Sequence, residues 1–256
     1  MATYIVCAAL VAVLFAAAVP ARDWRTASRE PVGLAPDPAT TPEPLIQVYA
    51  ARAIGWRGVF GVHTWVAVKP EGKGYTVYEV IGWRLYSSDT AVVIRNRPPD
   101  GRWFGAAPEL IAERRGAGVA ALIERIDKAA QEYPWPGEYR VWPGPNSNTF
   151  TAWILRAVPE LAADLPPTAV GKDYSGDRLI TTAPSGSGVQ FSLFGVLGLT
   201  ASAVEGLELN VLGLTFGINP FDPAVKLPVV GRLGPARTLA APPVTAAEGQ
   251  AAERKD

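Results

Sequence analysis

The chain opens on an uninterrupted apolar run. Residues 4–19 carry no charge and stop at Pro20. A full bilayer crossing takes roughly 20 apolar residues, so residues 1–21 are read as a signal peptide or a short membrane anchor. Ala16-Ala17-Ala18 fits an Ala-x-Ala cleavage pattern. Against a cleaved signal, no basic residue precedes the run while Arg22, Arg25 and Arg29 follow it, and positive flanks tend to stay cytoplasmic. Within residues 22–44 the part from Glu30 to Pro44 carries proline at nearly every third position, which denies the backbone the donors that helix and sheet need. Residues 22–44 read as a linker.

From Leu45 the pattern turns to strands rich in β-branched and aromatic residues: Leu45 to Ala50, Val59 to Val68, Tyr75 to Trp83 and Ala91 to Arg95. Glu71-Gly72-Lys73-Gly74 marks a hairpin turn between the second and third. Helical spacing follows at Pro108 to Arg114 and again from Val119 to Ala130, where Val119, Leu122, Ile123 and Ile126 share one face. Glu138 to Trp142 reads as a short strand. After the Pro-Gly-Pro turn a helix starts near Ser147, with Phe150, Trp153 and Ile154 facing the core. A loop through Pro166-Pro167 and Lys172-Asp173-Tyr174 closes this unit, its charges expected at the surface. Within residues 184–220 the chain is glycine-studded and apolar, interrupted by Glu205 and Glu208. Glycine disfavours a helix, so the stretch is a long β-hairpin or an element lying on a membrane surface.

The expected fold is α+β, an antiparallel sheet with helices packed on one side. It has a core at 45–175, a Gly-rich apolar β extension at 176–234 and a disordered tail at 235–256. At 256 residues with 48% hydrophobic content the chain can bury one main core. Its 24 basic residues cancel 24 acidic ones, which argues against nucleic-acid binding. The single cysteine, Cys7, precludes an intramolecular disulfide. With one histidine and no acidic cluster of ligand spacing, neither a metal nor a cofactor is expected. The expected partners are the membrane, through the N-terminal run, and an envelope lipid, peptide or glycan. Seven of the eight tryptophans fall between Trp56 and Trp153, placed either to line a groove or to fill a core.

The chemical lead is the solitary His63 with Ser147. Histidine titrates near neutrality unaided and is the usual base for a serine nucleophile. A helix start adds free N–H groups and a positive dipole end for an oxyanion. Asn146 and Asn148 flank the serine as further donors. Glu79, on the strand beside that of His63, is the candidate third member, subject to a register that a one-residue slip would invert. The same residues have a purely structural account, since Ser and Asn are favoured helix N-caps and Pro and Gly are ordinary turn chemistry.

His63-Thr64-Trp65-Val66-Ala67-Val68 on a strand, followed by Asn146-Ser147-Asn148-Thr149-Phe150 at a helix start, resembles the circularly permuted papain-like superfamily. That resemblance implies His63 as the base, with Ser147 standing where the superfamily carries a catalytic cysteine. The segments at 48–53, 140–150, 165–174 and 213–217 also look like an uncharacterised family of proteobacterial envelope proteins. Three functions are therefore expected. One is an inner-membrane-anchored or periplasmic hydrolase or acyltransferase acting on an amide or ester. The second is a non-catalytic lipid- or protein-binding scaffold that uses the same cleft and the apolar segment at 184–220. The third is a purely structural envelope protein.

Overall fold

A computed structural model describes residues 23–235; the apolar run at 1–21 and the tail at 236–256 lie outside the described residues. Two antiparallel sheets and a few helices make the chain mixed and mostly β. The first sheet holds β1 (Leu45–Arg52), β2 (Val62–Lys69), β3 (Thr76–Val80), β4 (Val92–Asn96) and β5 (Glu109–Arg115) in the order β4-β3-β2-β1-β5. Strand alternation gives it two unlike faces. Ile46, Val48, Val66, Val68, Tyr78 and Val80 face the helices, whereas Leu45, Tyr49, Trp65, Ala67 and Val77 face the other way.

The helices are a single turn, α1 (Arg57–Phe60), then α2 (Val119–Gln131) and α3 (Ser147–Ala157). Helix α2 buries Val119, Leu122 and Ile126 as its spacing predicts, with Ile123 at the margin. Helix α3 is buried nearly all round. Phe150 and Ile154 sit in the core, and Trp153 at its edge donates its indole N–H to Ala129 O at 2.7 Å.

Three expectations change. The segment at 108–114 is not helical: it is β5, an edge strand on β1. Seven residues between Pro108 and Gly116 are too few to nucleate a stable helix, and the free edge of β1 supplies backbone partners instead. Glu138 to Trp142 forms no strand, because Pro136, Pro143 and Pro145 around it cannot donate to a ladder. The proline-rich stretch is packed rather than free. Pro31 bridges to Gly101, the N–H groups of Leu34 and Ala35 donate to Asp100 Oδ2, and the Tyr75 hydroxyl donates to Pro36 O at 2.8 Å.

The second sheet is a seven-stranded meander in sequence order, larger than the single hairpin expected. It runs β6 (Ile180–Thr182), β7 (Gly188–Leu193), β8 (Leu197–Ser202), β9 (Gly206–Val211), β10 (Leu214–Asn219), β11 (Ala224–Leu227) and β12 (Gly231–Leu233). Its turns at Phe194-Gly195 and Leu212-Gly213 have positive φ at both residues, the tight hairpin geometry that matches strand twist. Among the described residues no helix is long and apolar enough to cross a membrane.

Candidate functional site

The start of α3 is built as a cap. Asn146 Oδ1 accepts from the N–H groups of Asn148 (2.9 Å) and Thr149 (3.2 Å), while Thr149 Oγ1 accepts from the Asn146 N–H at 3.1 Å. This is a capping box. The Asn146 amide donates to Val141 O and Val170 O, and the Asn148 amide to Val62 O and Val170 O. Each amide has two hydrogens, so neither has one left for an oxyanion. Gly171 lies against Asn146 at φ +94, where an added Cβ would come within 2.3 Å of Asn146 Nδ2. Ser147 itself is 3% exposed, and its carbonyl meets Thr64 Oγ1 at 3.4 Å.

The structure does not bring His63 to Ser147. Thr64 takes the position on β2 that faces α3, bonding Asn148 Oδ1 at 3.0 Å and Thr151 Oγ1 at 2.9 Å. His63, one residue earlier on an extended strand, therefore points to the opposite face of the sheet. There its ring stacks on Trp103 with centroids 3.6 Å apart, and Trp103 stacks in turn on Trp83. The structure does bring His63 and Glu79 together, Nε2 to Oε2 at 3.1 Å, because the register sets Val66 opposite Tyr78 and leaves Glu79 on the histidine's face.

Electrostatics make this pair a buried brace. Arg95 and Arg97 reach Glu79 at 3.0 and 3.3 Å, and Glu79 is fully buried. Burial works to raise its pKa, but His63 and the two guanidiniums outweigh it and hold the carboxyl down at about 2. Burial pushes His63 below its ordinary value, only partly opposed by Glu79, so the ring is neutral and donates Nε2–H to the carboxylate. Two open depressions of about 600 Å³ flank the first sheet, and neither is lined by His63 or Ser147. Among the described residues no three His, Cys, Asp or Glu side chains stand together as a metal site.

Lys172 and Asp173, expected at the surface, are buried. Lys172 Nζ binds Asp173 Oδ1 at 2.8 Å and Glu208 Oε2 at 2.6 Å. Lys226 Nζ binds Asp164 Oδ1 at 2.7 Å and Glu208 Oε1 at 2.6 Å. Burial alone would lower the lysine pKa, yet Asp173 and Glu208 raise that of Lys172; burial would raise Glu208, yet the two lysines lower it. All are charged. Across the strands Glu208 stands opposite Gly217 and Gly217 opposite Lys226. A side chain at Gly217 would press on both at 3.1 and 3.4 Å, so its absence lets the two charges meet.

These charges belong to an inverted sheet. In β7 Gln190 and Ser192 are buried while Val189, Phe191 and Leu193 are exposed; in β9 Glu208 and Asn210 are buried while Leu207, Leu209 and Val211 are exposed. The polar face packs inward on α3 and the loop at 164–173, with Gln190 bonding both Arg156 and Asp173. The apolar face looks out. Ile180, Phe191, Leu199, Leu209 and Phe216 form one cross-strand row over β6 to β10, each 40–70% exposed. The period-2 alternation was visible in the sequence, but alternation alone does not say which face is covered.

A family described as Protein of unknown function (DUF3750) matches residues 43–174, about half of the chain, and the chain belongs to that family. No curated protein and no solved structure matches. The matched span holds the first sheet, both longer helices and the loop that carries Lys172 and Asp173.

Proposed function

We propose that this DUF3750 chain is a non-catalytic scaffold of the cell envelope, a lipid- or protein-binding module that docks an apolar partner on the outer face of its seven-stranded sheet. The observation that supports this reading is the inversion of that sheet. Half-exposed Leu, Val, Ile and Phe side chains across it present on the order of 1,000 Å² of apolar surface, above the roughly 300–600 Å² of the largest patch on an ordinary monomer. The turn residues point the same way. Phe194 and Leu212 hold left-handed conformations that Asn, Asp or Gly normally take, and both are more than half exposed. The apolar run at 4–19 would deliver the module to the inner membrane or the periplasm.

Attack by Ser147 with His63 as base has less support, since His63 lies on the face of the first sheet away from α3 and the asparagine amides are spent on backbone carbonyls. A strand histidine followed by a helix beginning at Ser147 fits a permuted papain-like ancestry that has lost its nucleophile chemistry. The test is photo-cross-linking in cells. The full chain carries a benzophenone amino acid in place of Leu209 or, as a control, in place of the exposed Glu71. Adducts formed at Leu209 well above the control are expected; equal yields at both positions would overturn the docking reading.

A further inference from the structure

We propose that the occupant of the outer face is a second copy of this chain, apposed face to face across a two-fold axis; the proposal rests on the docking reading above. The first ground is area. A stable interface removes about 800 Å² from each partner, and the apolar face, on the order of 1,000 Å², offers that much without help from other parts of the molecule. Sheets pack face to face about 10 Å apart with their strand directions nearly aligned, so an apolar cross-strand row such as Phe191-Leu199-Leu209-Phe216 is covered best by another such row.

The second ground is charge. The charged residues of β6 to β12 are Glu208, Lys226 and Arg232. Glu208 and Lys226 point inward, and Arg232 stands opposite Lys226 on the same face, held by Asp222 at 2.8 Å. The outer face is therefore uncharged. In an isologous pair every charge meets its own copy or that copy's neighbours, so an uncharged face is the kind that self-apposition tolerates. A lipid surface is matched less well. No Lys or Arg lies on this face to meet anionic headgroups. The sheet is open, with β6 and β12 as its end strands, and hydrocarbon does not satisfy the backbone groups of an open edge. A facing sheet covers the side chains and leaves both edges in water.

The experiment co-expresses two full chains with different tags, one of them carrying the benzophenone amino acid in place of Leu209. A doubly tagged product near twice the 27.2 kDa chain mass is expected, at least tenfold above that from the Glu71 position. Introducing Leu199→Asp and Leu209→Asp into the second copy should reduce it at least tenfold with the unfolding midpoint retained. Leu199→Thr with Leu209→Thr repeats the test using side chains that favour strands. Adducts to lipid or to another protein, without the doubly tagged product, overturn the second-copy proposal and leave the docking reading standing; adducts only within one chain overturn both. No adduct overturns both. A doubly tagged product that survives the substitutions in a folded partner also overturns the proposal.

Discussion

His63→Gln is the sharpest probe of the brace on the far side of the first sheet. The native ring is held neutral by burial, with its pKa below the ordinary 6.5, whereas the unfolded chain takes up a proton near 6.5. The unfolded state therefore gains as pH falls: the contribution is complete above 6.5 and is lost on acidification. With one proton involved, the loss at pH 5.5 is at most about 1.4 kcal/mol. Glu79 has its own window, because a carboxyl held at about 2 against an ordinary 4.5 loses its contribution only below 4.5. The chain has no other histidine, so the interval from pH 7.5 to 5.5 belongs to His63. Urea unfolding followed by tryptophan fluorescence should show the wild-type midpoint falling across that interval, by no more than about 0.6 M for an m-value of about 2.5 kcal/mol/M. The substituted glutamine keeps an N–H for Glu79 but cannot titrate; the variant should be less stable at every pH, having lost the stack on Trp103, and its midpoint should be flat. A wild-type midpoint constant over the same interval, or an equal fall in the variant, would refute the buried neutral histidine.

Glu208→Gln removes the carboxylate that Lys172 and Lys226 share and should cost about 3 kcal/mol or more in urea unfolding. Leu209→Asp, one residue along but on the outer face, should change stability of the unassociated chain by no more than about 0.5 kcal/mol. Asn146→Ala removes the α3 cap and takes the amide donor from Val141 O, while Val170 O keeps that of Asn148; a loss of about 2 kcal/mol is expected by thermal or urea unfolding.

Much of the first sheet was legible because its strands are bounded by turn residues and rich in β-branched side chains. Helices α2 and α3 were legible because Val119, Leu122 and Ile126, and Phe150 and Ile154, repeat at helical spacing. Strand β5 was not, since Glu109 to Arg114 satisfies helical spacing over a length at which period alone cannot decide; only the open edge of β1 settles it. At the candidate site the sequence placed His63 on a strand and Ser147 at a helix start, and both stand there. What it could not supply was direction. On a strand the difference between facing α3 and facing Trp103 is one residue, so Thr64 rather than His63 meets the helix. The pairing of Glu79 with His63 turned on the same register, and there the alternation favours contact.

The inverted sheet follows from the loop that precedes it. Lys172 and Asp173 enter the interior on a segment that includes Gly171, a positive-φ residue pressed against the α3 cap. Once they are buried they require charged and amide partners, because an unpaired ion in that environment is far costlier than a paired one. The strands that cover them answer with Glu208, Lys226, Gln190 and Asn210, the last donating to Asp173 Oδ2 at 2.8 Å. Strand alternation then sends every intervening residue outward. Solubility alone would select polar side chains there, as in an ordinary one-sided sheet. The outward positions instead carry Phe191, Leu199, Leu209 and Ile218. The interior charges explain why the polar residues point in; nothing within the fold requires the outer ones to be apolar. A requirement from outside the monomer would account for them, and the proposed docking partner is the physical form that requirement would take.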